Sequence, residues 1–241
     1  MIIRHRAMQA EDKQERYNAI LDAAERVLLR GPELEANMAA VAVEAGLAKG
    51  TVYLYFPSKE ELLLALHERN IAAFFNALNA RLDAPLPMAI DDVLHLTHRY
   101  MIDPPIFLPM AARCLSHMAS AIPEQASLAF KQRLGERMGR AGAGLEKHFA
   151  QLPAGGGVTL LRHSYSLILG LWQLSGAESS PCVEPADSPL PPWSYAQSLD
   201  AALRALWSGT VLNLSLAAPA AGSHEPNTPA PAPAAGALTP L

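Results

Sequence analysis

"GLAKGTVYLYFPSKEEL", residues 46–62, holds a glycine turn, a short aromatic segment and a helix start in close succession. Upstream of it, Asn37 is a helix N-cap residue, Met38 to Ala45 reads as a helix body, and Gly46 ends that body by taking the left-handed conformation. A further short helix runs from about Ala48 to Tyr55. Ser58-Lys59-Glu60-Glu61 is a capping box, with Ser58 at the N-cap and Glu61 reaching back, and it opens a long helix with Leu62, Leu66, Ala73 and Ala77 inward. On the other flank, Tyr17, Ile20, Leu21, Ala24, Val27 and Leu28 recur at helical spacing over residues 11–30, and Gly31-Pro32 stops the pattern. Two short helices joined by a glycine turn and braced by a helix on each side form a helix-turn-helix. Ala42, Gly46 and Val52 supply the small residue, turn glycine and β-branched residue that let the two helices cross closely.

At about 100° per residue, Ala48, Val52, Tyr55 and Phe56 fall on one side of the second short helix, and Lys49, Gly50, Tyr53 and Leu54 on the other. An exposed leucine beside an exposed tyrosine suits the major groove of DNA, where apolar atoms meet thymine methyls and a phenol reaches a phosphate. Gly50 lets the backbone approach closely, Lys49 and Lys59 neutralise phosphates, and Thr51 stands at the edge of the face. The helix N-termini supply N–H donors. The competing reading is that Tyr53 and Tyr55 pack against the first helix. No Arg or Asn stands in the helix, so direct purine readout is expected to be weak. Arg4 and Arg6 are either minor-groove contacts or part of an uninvolved arm.

Helices are also predicted near 88–102, 104–119, 123–150, 157–177 and 193–215, punctuated by Pro104-Pro105, Pro123 and Pro153 to Gly157. No segment sustains the period-two alternation of a strand. The fold class is therefore all-α, with about nine helices: an N-terminal three-helix DNA-binding domain over 1–60, and a larger helical domain over 61–216, to which the resemblance given below assigns ligand binding and dimerisation. A long loop with five prolines is expected over 179–192. Residues 217–241, with nine alanines and six prolines, are expected to be a disordered tail, because they offer little to bury.

The chain of 241 residues is half apolar, enough for a sizeable core. Its net charge is −4, and residues 1–70 carry nine Lys/Arg against eleven Asp/Glu, so nucleic-acid binding must rest on local placement. The N-terminus lacks the apolar core of a signal peptide and no apolar run is long enough to span a membrane, so a cytoplasmic location is expected. Cys114 and Cys182 have no partner motif and read as reduced thiols. No GxSxG, HExxH, P-loop or dinucleotide fingerprint is present, which argues against the alternative of a lipid-processing helical enzyme and gives no cofactor. An adaptor that keeps the fold without binding DNA is the other alternative.

Residues 20–66, "ILDAAERVLL…MAAVAVEAGLAKGTVYLYFPSKEELLLAL", resemble the DNA-binding domain of the TetR family of bacterial one-component regulators. The resemblance implies that Lys49, Gly50, Thr51, Tyr53, Leu54, Tyr55 and Lys59 meet DNA and that Asn37 bonds a phosphate. Two positions depart from the family pattern: Ala48 stands where a Ser or Thr cap is usual, and Leu28 where an aromatic commonly packs. The resemblance also implies a homodimer built on the last two long helices, whose stripes include Leu160, Ser164, Leu167 and Leu171, then Leu199, Leu203, Leu206 and Thr210. A dimer of this kind reads a palindromic double-stranded operator. It implies, further, a pocket for an apolar or amphiphilic effector between these parts, with Tyr100, Phe107, Met110, Arg113, Cys114, His117 and Met118 as candidates. His95 with His98, and Arg113 with His117, are helical neighbours suited to a polar ligand group, and no metal site is expected. A ligand-released repressor is the function these features imply.

Overall fold

The computed structural model describes residues 2–30, 37–115, 121–175 and 194–212, with side chains from residue 11 onward and excepting Leu115 and Leu212. Among these residues there are nine α-helices, one π-helical turn and no strand: α1 Ile2–Arg30, α2 Met38–Glu44, α3 Lys49–Tyr55, α4 Lys59–Leu82, α5 Ile90–Thr97, the π turn His98–Ile102, α6 Phe107–Leu115, α7 Glu124–His148, α8 Gly156–Leu174 and α9 Tyr195–Leu212. The Pro-rich segment 179–192, the tail 217–241 and Cys182 lie outside the described residues.

Local chemistry sets most of these boundaries. Asn37 caps α2 by accepting a hydrogen bond from the Ala39 N–H at 2.9 Å. Gly46 has φ +67°, and the Leu47 N–H bonds back to the Ala42 carbonyl in the Schellman pattern. Ser58 accepts from the Glu61 N–H at 3.1 Å, and its hydroxyl donates to the Glu61 carboxylate, which closes the capping box on the side chain. The first helix starts at Ile2, well ahead of the expected residue 11, so Arg4 and Arg6 belong to a helix and not to an arm. Residues 2–16 contain no Gly or Pro and are rich in Arg, Ala, Gln, Glu and Lys, all strong helix formers, so nothing in the sequence stops the helix before Ile2.

Two apolar cores result. The head core joins Ile20, Leu21, Ala24 and Leu28 of α1 to Val41 and Ala42 of α2, Val52 of α3, Phe56, and Leu62, Leu63 and Leu66 of α4. The body core takes Ile71, Phe74, Phe75, Leu78 and Leu82 from the remainder of α4, and adds α5 to α9. One uninterrupted helix thus contributes to both. Ion pairs reinforce this role: Arg69 of α4 bridges to Asp22 and Glu25 of α1, and Arg133 of α7 holds Glu68 of α4 through two hydrogen bonds. In the body, α7 and α8 approach so closely that a Cβ on Gly157 would lie 2.2 Å from the Gly142 carbonyl oxygen.

Candidate functional site

The head presents its short third helix to solvent. Val52 and Phe56 are buried, Tyr55 is half-buried at the edge of the head core, and Lys49, Gly50, Tyr53 and Leu54 are exposed. Leu54 is 84% exposed and Tyr53 40%, an unfavourable arrangement for a face that meets only water. The Lys49 ammonium lies 5.8 Å from the Tyr53 ring centroid, which holds the two side chains on one patch. Thr51 is half-exposed beside them. Ala48, on the inward side of the helical wheel, is exposed in the structure. It is the N-cap and has extended backbone, so the helical period does not apply to it, and no side chain caps α3.

The two basic residues stand at telling positions. Lys49 begins α3 and Lys59 begins α4. A cation at a helix N-terminus opposes the macrodipole by about 0.3–1 kcal/mol, so neither lysine stabilises its own helix. An external anion beside both removes that penalty and gains the free N–H groups as well. Asn37 spends its side-chain oxygen on the α2 cap, which leaves the amide nitrogen as its remaining donor. Val43 on α2, 82% exposed, is an apolar residue of the same head that the sequence pattern did not single out. Its signal was present, since it lies on the opposite side of α2 from Val41 and Ala42.

In the body, a small apolar cavity of about 50 Å³ lies between α4, α5, α7, α8 and α9. Phe74, Phe75, Met101, Met138, Ile168 and Trp207 form much of its wall, with Thr97, Ser164 and Tyr165 as polar members. The Ser164 hydroxyl accepts from the Trp207 indole N–H at 2.9 Å and donates to the Leu160 carbonyl at 2.8 Å, so its bonding is complete. Burial pushes the Tyr165 phenol well above its ordinary range and keeps it a donor.

Among the described residues, none of the expected pocket residues lines this cavity. Phe107 is fully buried in the body core, and Met110 in the head core. Tyr100 packs on the body core from outside, and Arg99 stacks on its ring. Cys114 is half-buried, with its thiol pushed up to about 12 by burial, and Arg113 is half-buried beside it. His117 and Met118 lie outside the described residues. The described apolar residues of α6 pack in both cores, and period alone cannot separate core from cavity wall. His98 is occupied by Asp200 of α9 at 2.6 Å, while His95 is exposed. Among the described residues no group of three His, Cys, Asp or Glu is placed to hold a metal ion.

The expected dimer stripes divide in two. Leu160, Ser164, Leu199 and Leu203 are buried within the chain and are not available to a partner. Leu167, Leu171, Leu206 and Thr210 are half-exposed, and Leu174 is 80% exposed. No described helix is long and apolar enough to cross a membrane.

Comparison with known proteins follows this geometry. The model of bacterial regulatory proteins of the tetR family matches residues 20–66, and that of a tetracyclin repressor-like C-terminal domain matches residues 68–211. The fatty acid metabolism regulator protein of Bacillus subtilis (strain 168) is 32% identical over 68 residues, 28% of this chain and 35% of that protein. The chain thus spans about a third of that relative's length. Solved structures of a transcriptional regulator of Streptomyces coelicolor A3(2) and of a TetR-family regulator of Mesorhizobium loti MAFF303099 are also similar. The first is 20% identical with TM-score 0.47, covering 80% of this chain and 98% of that one; the second is 15% identical with TM-score 0.49, covering 81% and 96%. The two family models together run from residue 20 to residue 211, across most of the described head and nearly all of the body, and on that coverage the chain belongs to the tetR family of bacterial transcriptional regulators and is not an enzyme.

Proposed function

We propose that the chain is a dimeric repressor which binds a palindromic operator through α3 and is released when an apolar or amphiphilic effector enters the body cavity. The observation that carries this reading is α4: its first turns pack in the head core, while Phe74 and Phe75 stand in the cavity wall. A cavity of about 50 Å³ has room for no more than a few waters, so any larger guest must displace wall residues. Phe74 and Phe75 are rigid and carried on a helix, so displacing them moves α4 and the head with it. A 100-fold loss of operator affinity needs about 2.7 kcal/mol of preference for the shifted conformation, an ordinary coupling.

The contact set proposed for DNA is Asn37, Lys49, Gly50, Thr51, Tyr53, Leu54, Tyr55 and Lys59, with Val43 added at the rim. Leu167, Leu171, Leu174, Leu206 and Thr210 are the proposed dimer seam, supported by their exposure on the two helices that close the body. The name of the Bacillus relative concerns fatty acid metabolism, and the apolar lining here suits a guest with an aliphatic part. The test is a fluorescence-anisotropy titration against the intergenic DNA next to the chain's own gene, with and without sodium decanoate as probe. Tight binding to one fragment that decanoate weakens supports the reading. Binding that is equal for all fragments, or none at all, contradicts it.

A further inference from the structure

A second concave region lies apart from the apolar cavity, where the head meets the body. It is a cleft of about 340 Å³ bounded by α1, α4 and α7, and a smaller pocket of about 160 Å³ adjoins it through Tyr17, Ala65, Glu68 and Arg133. Arginines of three different turns reach its walls, and their charges are not equally balanced. Arg69 is neutralised by Asp22 and Glu25, and Arg133 by Glu68. Arg81 and Arg140, on the same two helices, pair with Asp92 and Asp83. Arg137 alone on α4 and α7 has no carboxylate or carbonyl partner among the described residues. Its Nε is fully buried and donates no hydrogen bond, which for a guanidinium is costly. Across the cleft, the Tyr17 hydroxyl is likewise without a hydrogen bond among the described residues, although its ring packs on Phe56 at 4.9 Å.

We propose that this cleft is a binding site for a small organic anion, with the Arg137 guanidinium and the Tyr17 hydroxyl as its donors. The guanidinium fork matches a carboxylate or a phosphate. Burial, with Glu68 next, raises the Tyr17 phenol above its ordinary range, so the group stays protonated and donates. Leu21, Ala65 and Ala72 give the cleft apolar walls, which favour an anion carrying a hydrocarbon part over a bare inorganic ion. An occupant held by both donors links α1 to α7, two helices that otherwise communicate through α4. The site goes beyond the effector cavity of the repressor reading, and its test needs neither an operator nor that effector.

The full chain is titrated calorimetrically with sodium benzoate and, separately, with inorganic phosphate, at matched ionic strength. Saturable benzoate binding is expected, weakened at least tenfold in Arg137→Gln and several-fold in Tyr17→Phe, with phosphate weaker than benzoate. Arg137→Lys keeps the charge but not the fork and is expected to weaken binding by a smaller factor. Phosphate bound more tightly than benzoate, with the same dependence on Arg137, keeps the anion site but overturns the organic part of the proposal. No saturation by either probe up to about 10 mM overturns it entirely, as does binding that Arg137→Gln and Tyr17→Phe leave unchanged. Far-UV circular dichroism confirms that the variants are folded.

Discussion

At the scale of single residues, Ala48 and His67 are positions where the chain departs from what its helices would favour. Ala48 occupies an N-cap and has no oxygen to offer, so the N-terminus of α3 depends on an external acceptor. Ala48→Ser is expected to stabilise the head by about 0.5–2 kcal/mol. In a thermal melt that corresponds to a rise of about 1–8 °C for a chain of this size. His67 lies fully buried on α4, beside the Phe107 and Phe130 rings, and its Nδ1 has no hydrogen-bond partner. Burial lowers its pKa from 6.5 to about 4, so the folded protein holds the neutral ring. The unfolded chain therefore takes up the proton first as pH falls: above pH 6.5 protonation costs no stability, and stability drops through the window down to about pH 4. That window is worth roughly 3 kcal/mol. Urea unfolding of His67→Leu is expected to show a flatter slope between pH 6.5 and 4 than the parent chain. Ala48 was legible in sequence as a cap position without an oxygen, whereas the environment of His67 was not, because burial of α4 depends on α6 and α7, far along the chain.

At the scale of elements, local signals and long-range packing separate cleanly. Asn37, Gly46 and Ser58 bond or bend within a few residues of themselves, so the second, third and fourth helices were legible from sequence in place and type. Gly157 illustrates the opposite case. Its run of glycines reads as a loop break, and Gly156 does begin a helix, yet Gly157 is where α8 touches α7 backbone to backbone. No local pattern encodes that approach. Gly157→Ala is expected to force the two helices apart at a cost near 3 kcal/mol, because the blocking atom is a backbone carbonyl that cannot rotate away. A shift of the urea midpoint with an unchanged slope would register it. The stripe on α6 shows the same limit: apolar period marks a face that is buried, without saying whether core, ligand or partner buries it, and here Phe107 and Met110 pack in the two cores.

At the scale of the whole molecule, α4 makes the head and the body one mechanical system, and the seam of α8 and α9 makes the proposed dimer. Part of each leucine stripe, including Leu160 and Leu199, serves the chain's own core, and the proposed seam rests on the residues of the stripes that stay exposed or half-exposed. Leu174→Arg combined with Leu206→Glu touches the open part only. Sedimentation velocity is expected to show the monomer for this pair and the dimer for the parent chain, with operator binding lost in parallel. The most direct test of the reading head is the salt dependence of DNA binding by the parent chain, Lys49→Ala and Tyr53→Ala. Lys49→Ala is expected to lower the slope of log K against log salt by about 1 per head, and Tyr53→Ala to weaken binding several-fold at unchanged slope. Affinity and slope indistinguishable from the parent in both variants would contradict the assignment of α3 as the helix that meets DNA.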